Sequence, residues 1–496
     1  MYSDATTEQI EAAMARSYNG FLQFRHTSGK EKGAFLRAVA EEIEALGMSL
    51  VHTAMQETNL PEARLMGERG RTCFQLRSMA EVVEEGSWVD ATIDTALPDR
   101  QPLPKPDIRN MLVSIGPVVV FGASNFPFAY STAGVDPASA WAAGCSVVVK
   151  AHPAHPKTSE LVAEAIHKAI EKTAMPRGIF EHINGSSFEV GEALVMHPRT
   201  AAVGFTGSLA GGKALFDMAN QRPVPIPVFS EMGSTNPVFL LPESLAQNAE
   251  KFAKMYAGSI TGSMGQFCTK PGLIFGIEGL SLDKFISVLS SEITQIQAVP
   301  MLHVGIASAF RKNRTEVLAQ SGIQLESETS SAYNDPDGIP SIASISGQDF
   351  IQNPTVHQEV FGPFSLIIKC KNAAELNEVA THLEGQLTCT LMATETDVVH
   401  FDNLVKTTAL ICGRLILNGV PTGVEVCPAM QHGGPFPAST DGRFGSVGSH
   451  AIKRFVRPFA VQSFPDAFLV PELQNANPLN IWRTVNGKLT KEAVNG

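Results

Sequence analysis

Apolar residues at three- and four-residue steps open the chain. Phe35, Leu36, Val39, Ile43 and Leu46 place one apolar face on a helix, with Ser28 ahead of them as its N-cap. Most of the first ninety residues read this way. From 97 to 107 the rhythm lapses, and LPDRQPLPKPD with its four prolines suits an extended connector or edge hairpin.

A second rhythm follows. Val118–Phe121 is a short continuous apolar run, and Ser146–Lys150, Ile179–Ile183 and Ala201–Phe205 repeat it. Between and after them lie helical patterns over Thr158–Thr173, Glu189–Met196 and Leu209–Ala219. Such alternation predicts βαβ units and a doubly wound parallel sheet, an α/β fold of nucleotide-binding kind. The proline-rich QRPVPIP (221–227) marks a boundary into a second α/β region, and the last fifty residues read as a tail that packs elsewhere. Three parts are expected: 1–96 with 115–230, then 231–440, and 97–114 with 441–496.

Composition narrows the class. The chain has 496 residues, 44% hydrophobic and 18% charged, which excludes a disordered chain. With a net charge of -11 and no basic block, nucleic acid is not an expected partner. The most apolar stretch, MLVSIGPVVVFGASNFPF, is broken by glycines and prolines, so no membrane span is expected. The seven cysteines are odd in number, widely spaced and without a CxxC pair. They fit a reduced, cytoplasmic protein with neither disulfides nor a metal site. The first residues lack the basic and apolar regions of a signal peptide.

Four places carry candidate chemistry. Cys268, in the small-residue context GSMGQFCTKPG, reads as a nucleophile or a structural cysteine. Glu231, in VFSEMGSTNP at the end of an apolar run, reads as a general base or a cap. Asn125 follows a strand and either donates to an oxyanion or satisfies its own turn. Gly204-Phe-Thr-Gly207-Ser208 follows a strand and opens a helix, as a pyrophosphate turn would, although GxGxxG is absent.

Taken together and in this order, these motifs resemble the NAD(P)-dependent aldehyde dehydrogenases over roughly residues 8 to 460. Asn125-Phe-Pro resembles the family's oxyanion segment, Val149-Lys150 its cofactor-ribose lysine, and Gly204–Ser208 its pyrophosphate turn. Glu231-Met-Gly resembles the general-base motif and Gln266-Phe-Cys268 the nucleophile motif. Glu359-Val-Phe361-Gly-Pro resembles the segment that holds the nicotinamide ribose and packs on the cofactor. Met232-Gly-Ser-Thr departs from the usual Leu-Gly-Gly-Lys, and no role is assigned to Ser234. The family's N-terminal strand is missing or abbreviated. Lys150-Ala-His-Pro-Ala-His-Pro and His432-Gly-Gly-Pro-Phe-Pro-Ala-Ser-Thr are similar to a branch with α-ketoglutaric semialdehyde (2,5-dioxovalerate) dehydrogenases and a bacterial fatty aldehyde dehydrogenase.

The resemblance implies a fold of two doubly wound parallel-sheet domains, for cofactor and nucleophile, with an oligomerisation hairpin and tail. It implies oxidation of an aldehyde to an acid through a Cys268 thioester that Glu231 hydrolyses, with Asn125 on the oxyanion. Pro153 stands where NAD-preferring relatives commonly carry a glutamate, so NADP is expected to be accepted beside NAD, with Lys150 and His152 offsetting its 2′-phosphate. α-Ketoglutaric semialdehyde is the first substrate choice and a fatty aldehyde the alternative. Phe128, Tyr130, Phe267, Thr422 and His432 are placed along the substrate tunnel, Phe128 and Tyr130 on a helix after Asn125. Phe128, Phe267 and Phe436 would equally make an apolar tunnel, and Arg64 or Arg109 would meet an anion unless solvated or inter-subunit. Rival readings are a cysteine hydrolase pairing Cys268 with His357 or His432, and an inactive scaffold protein. A homodimer or homotetramer is expected, through 97–114 and the tail near 445–462.

Overall fold

The computed structural model describes residues 2–494, and the strands lie within about a residue of where continuous apolar runs place them. Four helices fill the first stretch: Thr7–Phe24, Gly29–Ala45, Gly47–Thr58 and Glu62–Glu85. Ser28 caps the second in a capping box with Glu31, an arrangement that contributes about 1 kcal/mol. The apolar face it introduces packs inward: Phe35 meets Trp141 edge-on at 5.4 Å, and Trp141 meets Phe180 at 5.9 Å.

Three sheets follow. The first is wholly parallel, in the order Phe180–Ile183, Val147–Lys150, Val118–Phe121, Ala202–Thr206, Val228–Glu231. Helices Val135–Ala143, Pro156–Lys172, Phe188–Met196 and Leu209–Asn220 connect its strands. The second has seven strands: Gln324–Glu328, Ser341–Ser346, Phe364–Cys370, Leu273–Ile277, Val238–Leu240, Gln386–Met392 and Cys412–Leu417. It is parallel except for its antiparallel first edge.

The third sheet joins hairpin and tail. Val456–Gln462 pairs with Ile108–Ser114, which pairs with Thr92–Asp94, which pairs with Arg483–Val485 beside Lys488–Thr490. Arg109 belongs here. It donates to Asp107, the Leu473 carbonyl and Asn475 and is 5% exposed, so it is neither a solvated residue nor an anion site near Cys268.

Val228–Glu231 still pairs with Ala202–Thr206, so the first sheet runs on past 221–227 and ends at Glu231. One expectation is corrected. Phe128 and Tyr130 are not on a helix: residues 127–133 form turns, and the helix begins at Val135. Among the described residues no helix is long and apolar enough to cross a membrane.

Candidate active site

In an open parallel sheet the ligand crevice lies at the carboxyl ends of the strands. The first sheet presents Asn125, Lys150, Gly207 with Ser208, and Glu231 at those ends. The nucleophile comes from elsewhere. After helix Pro242–Thr261 the chain turns left-handed through Ser263, Met264 and Gly265, with φ of 49°, 52° and 63°. That conformation costs a non-glycine residue about 1–2 kcal/mol. At Gly265 a side chain is excluded, because a Cβ would stand 2.3 Å from the Gly362 carbonyl oxygen. Asn236, itself at φ 46°, donates to the carbonyls of Cys268 at 2.8 Å and Lys270 at 3.0 Å and so pins the loop. Ser234 and Thr235 bind the Gln386 side chain, which makes Ser234 a strut of this turn.

Cys268 is half-buried among three polar groups. Asn125 Nδ2 donates to the Gln266 carbonyl at 3.1 Å, which holds the amide beside the nucleophile's backbone. His432 Nε2 lies 3.7 Å from Cys268 Sγ and 2.9 Å from Glu231 Oε1. Ser446 donates to Glu231 Oε2 at 2.9 Å. The segment carrying His432 and Ser446 is held against the Glu231 strand by a bridge from Ser439 to Glu231.

Burial, and then the charge of Glu231, raise the Cys268 thiol well above the usual cysteine range. Burial alone would also raise Glu231. His432 outweighs it, with hydrogen bonds from Ser446 and Cys268, and holds the carboxyl below its ordinary value. The site therefore rests as a protonated thiol beside an ionised carboxylate, a nucleophile next to its base. Ligand atoms of Glu231, Cys268 and His432 lie within 4.8 Å of one another, a donor set that also suits a soft divalent ion. His357 is elsewhere, stacked on Phe350 and bonded to its carbonyl, so His432 alone of the two candidates meets Cys268.

The cofactor-side residues fit a dinucleotide. Lys150 is buried, its ammonium makes no hydrogen bond or ion pair among the described residues, and burial lowers its pKa. Ser208 caps helix Leu209–Asn220 through Gly211, so that the helix N-terminus points into the cleft. The Gly207 N–H donates to the Glu231 carbonyl at 3.0 Å, tying this turn to the base. Gly204 is a correction: it lies within strand Ala202–Thr206, where a Cβ would stand 2.9 Å from Asp136 Oδ2, so it makes room for a buried carboxylate. Pro153 is exposed on the turn after Lys150. His152 stacks on His155, and burial, with His155, His303 and Lys150 nearby, presses its pKa well down. Glu359 approaches Gly233 so closely that a Cβ there would stand 2.5 Å from its oxygen. Burial raises Glu359 to about 7, against the pull of Lys270, and Phe361 is half-buried two residues on.

The expected substrate residues separate. Tyr130 meets the His432 ring at 5.9 Å, and Phe267 tilts against Phe126 at 5.8 Å, forming an aromatic wall next to Cys268. Phe128 is a correction: it is 2% exposed within the core around Phe24 and Phe35. Phe436, by contrast, is 59% exposed. Thr422 shares a hydrogen bond with Ser259 at 2.9 Å. Arg64 pairs with Glu68 and stacks over Phe126 at 4.4 Å, so its charge is matched within the chain. Asn236, Ser446, Lys270, Arg71 and Arg414 also stand at or around the site, without having drawn notice as motifs.

Comparison with known proteins places this arrangement. The chain is 46% identical over 98% of its length to Alpha-ketoglutaric semialdehyde dehydrogenase 2 of Azospirillum brasilense, covering 93% of that protein. It is 44% identical over 99% of its length to Alpha-ketoglutaric semialdehyde dehydrogenase of Acinetobacter baylyi, again covering 93%. Its fold is similar to that of glyceraldehyde-3-phosphate dehydrogenase GapN from Methanocaldococcus jannaschii complexed with NADP. The TM-score is 0.78 at 19% identity, over 93% of this chain and 95% of the other. Residues 1–459 match the aldehyde dehydrogenase family, and the chain belongs to it: an NAD(P)-dependent enzyme that oxidises aldehydes.

Proposed function

We propose that this enzyme oxidises α-ketoglutaric semialdehyde to 2-oxoglutarate. The identity of 46% and 44% to two dehydrogenases of that name, over nearly the whole chain, carries the reading.

Cys268 is the nucleophile. Its thiol proton passes to Glu231 as the thiolate adds to the aldehyde carbon, and Asn125 Nδ2 and the Cys268 backbone N–H hold the oxyanion. Lys150, Ser208 and Glu359 would hold the cofactor, which supplies a hydride acceptor when bound. Loss of hydride from the adduct leaves a thioester on Cys268. Glu231, its first proton released to solvent, then takes one from water as that water adds to the thioester carbon. The Cys268 thiolate leaves with the acid formed. His432, against both groups, orients the carboxylate.

NADP is accepted beside NAD because Pro153 brings no charge against a 2′-phosphate. The first sheet with its helices serves the cofactor, the region after Glu231 the nucleophile, and the third sheet assembly as a homodimer. A reduced cytoplasm keeps Cys268 a thiol.

A substrate panel tests the reading. Among α-ketoglutaric semialdehyde, succinic semialdehyde and long alkanals, kcat/KM is expected to be highest for the first. A long alkanal that outpaces it overturns the proposal.

A further inference from the structure

We infer that Arg71 and Arg414 form a carboxylate-binding pair beside Cys268 that selects short aldehydes carrying an anionic far end. The inference rests on the semialdehyde reading above and names the groups that recognise the anion.

Arginines near the site divide by whether their charge is matched. Arg64 is paired with Glu68, whereas Arg71 and Arg414 form no ion pair among the described residues. A guanidinium half-removed from water without a counter-ion is costly, and an anionic ligand is its natural compensation. Excess acid makes the pair more conspicuous. In a chain of net charge -11, two unpaired cations at one pocket are not a general surface property.

Geometry joins the two to the nucleophile. Arg71, from helix Glu62–Glu85, donates from Nη2 to the Tyr130 hydroxyl at 3.1 Å, its guanidinium 5.4 Å from that ring's centre. Arg414, from strand Cys412–Leu417, donates to the Pro421 carbonyl at 3.0 Å and to the Gly423 carbonyl at 3.2 and 3.3 Å, and reaches Met430 Sδ at 3.8 Å. Met430 packs in one apolar cluster with Tyr130 and Phe126, so both arginines hang on the same aromatic wall. That wall continues through the His432 ring, 5.9 Å from Tyr130, to Cys268 Sγ, 3.7 Å from His432 Nε2. The Arg71 charge opposes the rise of the Cys268 thiol, and Arg414 senses both Cys268 and Tyr130.

Donors remain for a ligand. Arg71 uses one terminal nitrogen on Tyr130 and has no other bond among the described residues, so its fork is open. Arg414 is held through both terminal nitrogens by the Pro421 and Gly423 carbonyls and contributes its unmatched charge. A planar guanidinium fork matches a carboxylate, and a neighbouring keto oxygen would give a second acceptor.

The test compares the parent with Arg71→Met, Arg71→Lys and Arg414→Met on α-ketoglutaric semialdehyde and on pentanal, at saturating cofactor. The methionine variants are expected to raise KM for the semialdehyde roughly 10- to 100-fold, with a much smaller change for pentanal. Arg71→Lys is expected to recover part of the loss. Glutarate should slow alkylation of Cys268 by neutral iodoacetamide in the parent and not in the methionine variants. Equal proportional losses on both aldehydes, with glutarate protection intact, would overturn the pair. A parent that ignores the semialdehyde yet is protected by glutarate through Arg71 sinks the substrate reading and leaves the anion site standing.

Discussion

The base, the amide and the loop that serve Cys268 are partnered within the chain, whereas the cofactor cleft, like the two arginines at the substrate side, is much less so. Glu231 meets His432 and Ser446, Asn125 meets Gln266, and Asn236 ties down the nucleophile loop. The Lys150 ammonium, one strand away from the Asn125 strand, makes no such bond among the described residues, and the Ser208 side chain does no more than cap its own helix. The difference follows from what each region does. Chemistry needs donors and bases fixed before the reaction, since reorganisation would add to the barrier. A cleft that takes up and releases a dinucleotide at each turnover needs donors left for that ligand.

Breaking the partnered region at its base should give the largest effect. Glu231→Gln keeps the shape and removes the charge, and kcat is expected to fall about 10²- to 10⁴-fold. If hydrolysis of the thioester is the step lost, rapid mixing will show a burst of cofactor reduction followed by a slow steady rate. A uniformly slow trace without a burst would put the loss in the first half-reaction. A second readout concerns the thiol. Glu231 helps hold the Cys268 thiol high, so its removal should shift the pH profile of Cys268 alkylation to lower pH. In the parent, the Glu231 carboxyl is held below its usual range, so the active ionised form is lost only as pH falls through that lowered value.

Asn125→Ala should come next. It deletes one oxyanion donor while leaving the base and thiol in place, and kcat is expected to drop about 10²- to 10³-fold. Asn125→Asp, which puts a negative charge against the oxyanion, should be no better. A variant that keeps full kcat and loses only affinity for the aldehyde would reassign Asn125 to the loop, through its bond to Gln266.

How much of this was legible in the sequence depends on the kind of residue. Val118–Phe121 and Val147–Lys150 are read correctly because buried parallel strands need unbroken β-branched and aromatic runs. Ser28 is read correctly because a cap acts within its own turn. Cys268, Glu231 and Asn125 come together as the motif order implies, but neither His432's contact with two of them nor Ser446's place has a local signature. Both depend on a segment more than two hundred residues downstream folding back along the Glu231 strand. Phe128 misleads because a phenylalanine near a site looks the same whether it lines the tunnel or fills the core. Gly204 misleads because a glycine beside a turn also serves a neighbour in the sheet, here the Asp136 carboxylate. Arg71 escapes notice for a related reason: the lack of a partner is not a pattern in sequence.

The cofactor cleft offers the smallest and sharpest test. Pro153 is exposed on the turn that follows Lys150, so Pro153→Glu should disturb the fold little while placing a carboxylate near that unpaired ammonium. A carboxylate there would bond the adenosine ribose hydroxyl of NAD and repel the 2′-phosphate of NADP. His152 should soften the repulsion little, because burial disfavours its charged form. The ratio of kcat/KM for NADP to that for NAD should therefore fall roughly tenfold or more, with the aldehyde KM little changed. A parent that already favours NAD strongly, or a variant whose ratio does not move, would mean that Lys150 is not left open to a 2′-phosphate. The contrast between a partnered catalytic pocket and a less partnered cofactor cleft would then lose its functional meaning on this side.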